Sequence, residues 1–349
     1  MKPTLIIALI LGCFSVIGPK SKPMVQLSVA IPQQEDWVDQ GKIIDSGAEG
    51  DWDLYLWGGF ANSVVKKDGV YYLYYQGSKG YDEVEGTVTY RAIGVATSED
   101  GIKFSKYQSN PVLTWYPHDH LEEGAVSAAA SLSAQGEVEL YYGANTWAGG
   151  SLVNADGRLA VSGDGLNFRD AGKVLDHKDR SIWGSGDELF PIIGFSDNGR
   201  WFVYYIPNGV PQRGFLGVAW GDEKDQLKNT ASVMSGGNPV PAWGQGGYAR
   251  IGQDSYVLFT SNLNAQSGSL IEARTLSLDK PNLLSEPVAK YRFKDVSIGT
   301  VYLDMERMTW FMYYRSDDFN WYGVKTAPVV FKNEWDNMDE WVFLPTLKR

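Results

Sequence analysis

Acidic residues recur just ahead of strand-like segments, and they are the side chains in this chain best suited to chemistry. They are Asp51 and Asp53, Glu122 and Glu123, and Asp187 and Glu188. Cleavage of a glycosidic bond uses two carboxyl groups: a protonated one assists the leaving group, and an ionised one activates water or attacks carbon. A third charge nearby can hold up the pKa of the acid. These residues can do such chemistry only if the fold brings them to one place.

The segments that follow these acids are copies of one sequence motif. A short apolar strand leads through a turn, such as Asp68-Gly69 or Asn198-Gly199, to a second strand rich in tyrosine and tryptophan. Asn or Asp followed by Gly supplies the positive φ angles of tight hairpin turns. Equivalent positions in the five copies are Tyr74, Tyr141, Tyr204, Leu258 and Tyr313. This long repeat with strand-like patterning predicts radially repeated β-sheets.

Each copy has a second half, which is clearest in residues 93–101 and 159–165. A unit therefore holds about four strands, which is a propeller blade. We predict an all-β fold, a five-bladed β-propeller with four-stranded antiparallel blades. The aromatic residues of these strands first of all pack one blade on the next. The residues expected on or beside the innermost strands are Ser63, Ala129, Ile192, Ala249 and Val301.

The innermost strands of a propeller surround its central channel, so the residues just upstream of them converge on one pocket. Acids precede the first three blades. The fourth blade is preceded by residues 243–248, which contain no acid, and the fifth by Asp295. We therefore expect three successive blades to bring carboxylates to the axis.

The N-terminus has the pattern of an export signal. Lys2 is followed by an uncharged, mostly apolar run over residues 4–18. This run is short for a membrane span, which needs about 20 apolar residues, and it suits a signal peptide. We predict that residues 1–22 are a signal peptide and that the protein is secreted, periplasmic or surface-anchored. Cys13 is the only cysteine and lies in a loose lipoprotein-type cleavage box, so a lipid anchor at Cys13 is the alternative.

The excess of acidic over basic residues limits the kinds of partner that the protein can bind. Lys and Arg number 31 against 42 acidic residues, which gives a formal net charge of −11. Nucleic-acid affinity comes from phosphate neutralisation by Lys and Arg, so nucleic acid is an unsuitable partner. No linker or low-complexity segment interrupts the repeats, and we expect residues 23–349 to form a single propeller domain and a monomer.

An outer strand is also expected before the first complete blade, because residues 37–45 echo residues 168–176. We expect this strand to close the ring by pairing with the last blade, where residues 339–344 are the other candidate.

The sequence resembles the propeller glycoside hydrolases of family 43 and its relatives, families 32, 62, 117 and 130. The resemblance covers nearly the whole chain after the signal peptide. It rests on residues 64–75, on residues 96–104 with 110–113, and on the acids ahead of blades one to three. In that group, blade one supplies a general-base Asp, blade two an Asp that orients and tunes, and blade three a general-acid Glu. The relatives invert stereochemistry, which the resemblance implies here as well.

Carried over residue by residue, the resemblance implies that Glu188 is the general acid and that Glu123 takes the blade-two role, with Glu122 as the alternative. The group's Asp-Pro-Ser-Val phrase falls on residues 61–64, which read Ala-Asn-Ser-Val and lack the Asp. Asp53 would then have to reach in as the base, with Asp51 as the other candidate.

Further site residues are expected in loops and on the strands that follow them. The substrate-binding candidates are Trp57, Trp183, Trp243, Tyr248 and Arg250. Packing between blades explains aromatic residues about as well as stacking on a sugar does. We expect no metal and no cofactor, because His118-Asp119-His120 lacks a complete ligand set.

The function expected from these residues is hydrolysis of a glycosidic bond in an oligo- or polysaccharide. A carbohydrate-binding propeller without catalysis is the second candidate, favoured by the missing blade-one Asp. A glycoside phosphorylase is the third, and Arg180, Arg250 or Arg315 would then meet the phosphate.

Overall fold

A computed structural model of the chain describes residues 27–57, 62–82, 87–120, 123–148, 151–186, 188–208, 214–224, 227–242, 246–252, 255–262, 270–292, 296–316, 318–329 and 331–333. The predicted signal peptide, Cys13 and the candidate closing segment 339–344 lie outside these ranges. Within them, no helix is long and apolar enough to cross a membrane.

The described chain opens with β1 (Leu27–Val29), a short 3-10 helix (Gln34–Asp36) and β2 (Val38–Ile44). Unit one contains β3 (Tyr55–Trp57), β4 (Ser63–Lys67), β5 (Val70–Asp82), β6 (Thr87–Ser98) and β7 (Ser105–Lys106). Unit two contains β8 (Gly124–Leu132), β9 (Val138–Ala148), β10 (Ser151–Ser162) and β11 (Arg169–Leu175). Unit three contains β12 (Glu188–Asp197), β13 (Arg200–Asn208), β14 (Gly217–Gly221) and β15 (Asn229–Ser232).

Unit four contains β16 (Met234–Ser235), β17 (Asn238–Pro239), β18 (Gly246–Arg250), β19 (Tyr256–Asn262), β20 (Leu270–Leu276), β21 (Leu283–Leu284) and β22 (Ala289–Arg292). Unit five contains β23 (Val296–Asp304), β24 (Thr309–Ser316) and β25 (Trp321–Lys325), and β26 (Phe331–Asn333) pairs with β1. In chain order, neighbouring strands such as β12, β13, β14 and β15 are hydrogen-bonded antiparallel neighbours. The fold is all-β, with four-stranded antiparallel sheets arranged as a propeller, as the repeat predicts.

The hairpin turns have the geometry that their sequences predict. Asp68 and Gly69 have φ angles of 51° and 82°, and Asn198 and Gly199 have φ angles of 49° and 74°. Both residues of each pair lie in the left-handed region, which a two-residue hairpin turn requires. The central strands of these hairpins are therefore held in register.

Tyrosines of the second strand in units one and five reach into a neighbouring unit. The Tyr74 hydroxyl of unit one donates to the Gly165 carbonyl of unit two at 2.9 Å. Tyr313 of unit five donates in the same way to Gly101 of unit one at 2.9 Å. These side chains are fully buried, and burial raises the pKa of each hydroxyl well above its ordinary value, so both remain donors.

The first long strands of the units line a central channel of about 180 Å³. The channel is lined by residues 63–66, 129–132, 192–194, 246–248 and 300–302. Ser63, Ala129, Ile192 and Val301 thus lie on the channel wall as predicted, and Ala249 lies in β18.

The ring is closed by pairing between the two ends of the chain. The N-terminal strand β2 runs antiparallel to β25 and adds a fourth strand to unit five. This is the closure that the echo between residues 37–45 and 168–176 predicts. Residues from β2 and unit five pack with unit one in one apolar cluster, so closure buries the face that an open ring would expose.

A buried carboxylate strengthens this closure. Asp304, at the end of β23, accepts hydrogen bonds from Tyr71 and from Lys66 Nζ, the latter at 3.0 Å, and both donors belong to unit one. Burial alone would raise the pKa of Asp304, but the hydrogen bonds from Tyr71 and Lys66 hold it below its ordinary value of 3.8. The carboxylate is therefore charged throughout the neutral range.

Replacing Asp304 with Asn should lower the free energy of unfolding by roughly 3 kcal/mol near neutral pH, because the largely buried Lys66 ammonium loses its only fully buried counter-charge among the described residues. Since the folded-state pKa lies below the ordinary value, this contribution is present above about pH 4 and is lost as the pH falls through the folded-state pKa. Urea unfolding at pH 7 and at about pH 3 measures the difference. Glu306→Gln is the matched control, because the Glu306 side chain, which also meets Lys66, is 80% exposed and should change stability by less than about 1 kcal/mol. A difference between wild type and Asp304→Asn that stays constant into acid would contradict this account.

Candidate active site

The innermost strands all run in the same direction, so their first residues meet at one end of the channel. Their last residues meet at the other end, where Lys66 contacts Asp304 and Arg250 Nη1 lies 3.5 Å from Asp197 Oδ1. We call the end where β4, β8 and β12 begin the mouth, and the other the far end. Residues just before these strands therefore lie at the mouth.

Glu188 is the first residue of β12 and lies half-buried at the mouth. Two residues further along, the Phe190 ring packs against Val126 and Gly143 of unit two. Because β8 and β12 run in the same direction, this contact places Glu188 level with Gly124. The strand β12 ends at Asp197, nine residues on, which is about 30 Å away in an extended strand.

Glu123 stands immediately before β8 and is fully buried. Its Oε2 accepts hydrogen bonds from the backbone nitrogens of His118 at 2.8 Å and His120 at 3.4 Å. Its Oε1 lies 2.7 Å from His118 Nδ1. The carboxylate thus holds the loop ahead of β8 and one imidazole ring. Glu122, the alternative, lies outside the described residues.

Below this level, the buried amide side chains of Asn62 and Gln76 link units one and two through hydrogen bonds from backbone nitrogens. The backbone nitrogen of Gln76 donates to Asn62 Oδ1 at 2.9 Å. The side-chain oxygen Oε1 of Gln76 accepts from the backbone nitrogen of Ser127 at 3.3 Å. Asn62 Nδ2 and Ser127 Oγ are buried and have no hydrogen-bond partner within the described part of the chain. Buried polar atoms of this kind are normally satisfied by water or a ligand.

Ser127 also has an unusual backbone. It lies in a bulge of β8, between Val126 and Ala129, and has a φ angle of 62°. A non-glycine residue in the left-handed region is strained, and such residues cluster at functional sites. Sequence reasoning missed the Asn62, Gln76 and Ser127 chain, although Asn62 falls within the phrase where the family Asp is missing.

Asp53 lies on the other side of unit one. Side chains alternate along β5, so Tyr74 and Gln76 face unit two while Tyr75 faces unit five. Asp53 is on the Tyr75 side: its Oδ2 accepts from the Tyr75 hydroxyl at 3.1 Å and lies 2.6 Å from Lys106 Nζ. The sheet of unit one therefore separates this carboxylate from unit two, and both its neighbours are protonated donors.

Burial and the charge of Asp53 raise the pKa of Tyr75 well above its ordinary value, so the hydroxyl remains a donor to the carboxylate. Trp52 stacks on the same tyrosine, with ring centroids 5.8 Å apart. These contacts fasten the loop before β3 to the sheet. Asp51, the other candidate base, is exposed, and its Oδ2 accepts from the Ala48 nitrogen at 2.7 Å within the same loop.

The aromatic candidates are spread over the molecule. Trp57 lies in β3 opposite Gln76, which places its backbone at the mouth. Trp183 packs over Gly217, and its carbonyl accepts from the Tyr205 hydroxyl at 2.8 Å. Gly217 is in the third strand of its unit, so Trp183 lies about two strand spacings, or roughly 10 Å, out from the strand of Glu188. Trp243 lies outside the described residues.

Two further candidates lie deeper in the channel or beyond it. The Tyr248 ring stacks on Phe195 with centroids 4.3 Å apart, on the channel wall between units three and four. Arg250 pairs with Asp197 at the far end, about 30 Å from Glu188 by the length of β12. The structure thus places Glu188 and Glu123 at the starts of adjacent innermost strands, Asp53 on the unit-five face of unit one, and Arg250 at the far end.

One group of potential metal ligands lies away from the mouth, in unit two. Asp156, Asp176 and His177 have ligand atoms within 4.8 Å of one another. Lys173 Nζ lies 2.8 Å from Asp156 and 3.2 Å from Asp176. The lysine ammonium already supplies the positive charge between these carboxylates, so the group is an internal ion-pair network.

Comparisons with known proteins identify the fold. No protein-family model and no curated protein sequence matches this chain. A family 117 glycoside hydrolase of the marine bacterium Zobellia galactanivorans is similar in structure, with 11% identity, a TM-score of 0.59, and coverage of 84% of this chain and 90% of that one. An N-acetylgalactosamine deacetylase of F. plautii, solved with blood group B trisaccharide, has 13% identity, a TM-score of 0.57 and coverage of 86% and 95%. A β-1,2-mannobiose phosphorylase of Listeria innocua, solved with β-1,2-mannobiose, has 12% identity, a TM-score of 0.54 and coverage of 87% and 96%.

At these identities the likeness shows a shared fold, and it confirms the expected resemblance to the propeller glycoside hydrolases at that level. The three similar proteins are a hydrolase, a deacetylase and a phosphorylase. One fold therefore supports several reactions, and the function of this chain has to be argued from its site.

Replacing Asp53 with Asn should lower the free energy of unfolding by roughly 2 kcal/mol, because it removes a hydrogen-bonded charge between Tyr75 and Lys106. Thermal or urea unfolding measures this loss. Asp51→Asn is the matched control, two residues away in the same loop, and should change stability by less than about 0.5 kcal/mol, since exposed sites tolerate substitution. Equal stability of the two variants would show that Asp53 does not fasten this loop.

Proposed function

We propose that this protein is an exported glycoside hydrolase that cleaves an oligo- or polysaccharide at the channel mouth, with Glu188 as the general acid. The observation that carries the proposal is the position of Glu188: a half-buried carboxyl group at the mouth, level with Gly124 of the neighbouring innermost strand. A carboxyl group in this position can give its proton to a leaving oxygen held at the mouth.

The buried polar groups just below the mouth suit a sugar. The buried amides of Asn62 and Gln76 and the hydroxyl of Ser127 lie just below the mouth. Amide and hydroxyl groups both donate and accept hydrogen bonds, as sugar hydroxyls do. Two of the proteins with similar structures were solved with bound carbohydrate, which supports this ligand class.

The reaction begins with a glycosidic oxygen within hydrogen-bond reach of Glu188. As the bond between the anomeric carbon and this oxygen breaks, the Glu188 proton passes to the leaving oxygen, so the leaving group departs as a neutral alcohol. A water molecule attacks the anomeric carbon and loses a proton. The base that takes this proton is not Asp53 in this proposal, because Asp53 faces unit five and is paired with Lys106.

Glu188→Gln should reduce the cleavage of unactivated glycans by about 100- to 10,000-fold, because the amide cannot protonate the leaving oxygen. The cleavage rate of aryl glycosides with good leaving groups should fall much less, since these leaving groups need little protonation. Reducing-sugar release from a panel of polysaccharides and aryl release rates, each measured with and without phosphate, test this directly.

Asp53→Asn is the control for these measurements, and its rates should stay close to wild type once its lower stability is allowed for. Full activity of Glu188→Gln on a natural glycan would refute the assignment. Tight glycan binding without turnover in the wild type would instead support the second candidate function, a carbohydrate-binding propeller without catalysis. Turnover that depends on added phosphate would support the phosphorylase.

Export is part of the proposal and has its own test. The mature protein should begin after about residue 18, or at a lipidated Cys13. N-terminal sequencing of protein from the native host checks this, and mass spectrometry detects the lipid. Full-length protein confined to the cytosol would contradict export.

A further inference from the structure

The fully buried Glu123 carboxylate is committed to the loop before β8, and its contacts prepare a different side chain for chemistry. Its Oε2 is taken by the backbone nitrogens of His118 and His120, and its Oε1 by His118 Nδ1 at 2.7 Å. The Glu123 side chain is 0% exposed, and the His118 side chain is 54% exposed. The imidazole is therefore the member of the pair that can meet a ligand.

We propose that His118 is the general base that activates water in this site and that Glu123 is the residue that positions it. This inference rests on the proposed function. An ionised carboxylate only accepts hydrogen bonds, so Nδ1 carries the proton that faces Glu123 and Nε2 is left as the acceptor. A carboxylate that fixes the tautomer and orientation of an imidazole is the arrangement by which hydrolases make histidine an efficient base.

The position of His118 suits this role. Its ring contacts Glu123, which directly precedes β8, and Gly124 is level with Glu188 on the adjacent innermost strand. Packed sheets lie about 10 Å apart. An acid and a base that invert stereochemistry are separated by about 6.5–9.5 Å, which leaves room for a water molecule. Side chains that reach from both strands into the space between them can come within this range.

Neither Asp53 nor Asn62 of unit one supplies the base in this proposal. Asp53 faces unit five and is bound by Lys106 and Tyr75. Asn62, which directly precedes the innermost strand of unit one, carries an amide, and an amide does not take up a proton near neutral pH. His118 offers what these two residues lack, because an imidazole nitrogen with a free lone pair can accept a proton from water.

The proton balance of the hydrolysis is complete with these two groups. Water forms the new bond to the anomeric carbon and gives one proton to His118 Nε2, while the bond to the leaving oxygen breaks. Glu188 gives its proton to that oxygen. The imidazolium then releases its proton to solvent, and Glu188 takes one up, which restores both groups without any further reactant.

The test is the kinetics of His118→Asn, in which the amide nitrogen can still donate to Glu123 but nothing replaces Nε2. The kcat should fall by about 100- to 10,000-fold on natural glycans and on aryl glycosides alike, because water activation is needed whatever the leaving group. KM should change little, since the lost interaction belongs to the transition state. Added imidazole should restore part of the rate. Glu123→Gln should show a smaller loss of kcat, because the ring keeps its place but loses its charged partner.

His177→Asn is the matched control. His177 Nδ1 also lies 2.7 Å from a carboxylate, that of Asp156, but this pair lies beside Lys173 rather than at the mouth. The kcat of the His177→Asn variant should match that of the wild type. If His118→Asn does not fold, judged by circular dichroism, His118→Gln provides the same comparison.

The outcomes separate this inference from the proposed function. No cleavage of any glycan by the wild type would refute the proposed function. Cleavage that Glu188→Gln abolishes and His118→Asn leaves intact would overturn the role of His118 alone. A loss in His118→Asn that is confined to natural glycans, or that appears in KM rather than kcat, would also overturn it, because His118 would then bind substrate instead of activating water.

Discussion

The buried tyrosine that crosses from one sheet to the next is the interaction on which the rest of this structure depends. Tyr74, Tyr204 and Tyr313 occupy the same position in their units, and each hydroxyl donates to a backbone carbonyl of the following unit at 2.8–2.9 Å. Each hydrogen bond contributes about 1 kcal/mol, and the buried ring contributes more through packing. Each sheet is therefore held against its neighbour in one position. Tyr141, at the equivalent position of unit two, packs its ring against Gly194 of unit three, but its hydroxyl has no hydrogen-bond partner among the described residues.

This rigid packing explains how a mouth can be assembled from residues far apart in the chain. The innermost strands are fixed relative to one another, so the residues that precede them are fixed as well. Phe190 against Val126 sets the level of Glu188, and Ser63 holds Ala128 and Ala130 of the next innermost strand. The pairing of β2 with β25 completes the ring and prevents the units from opening.

The sequence was sufficient to predict the all-β propeller, the hairpin turns and the closing strand, because each depends on a local repeat. It also placed Glu123 and Glu188 at the starts of innermost strands: Glu123 directly precedes β8, and Glu188 is the first residue of β12. It could not show which face of a sheet a loop residue meets: Asp53 precedes unit one, but it lies on the Tyr75 face, away from unit two. Arg250 belongs to an innermost strand, but at its far end.

The bond between Glu123 and His118 also depends on the folded loop, since the sequence gives no sign of which acid a histidine meets. The account makes the mouth, with Glu188 and His118 on neighbouring units, the place where a sugar is held. The most direct test is a crystal structure of the Glu188→Gln protein with an oligosaccharide that the wild type cleaves. The scissile oxygen should lie about 2.6–3.2 Å from the side chain at position 188, with His118 on the opposite face of the sugar. An oligosaccharide bound at the far end beside Arg250, or on the outer strands beside Lys173, would contradict the account.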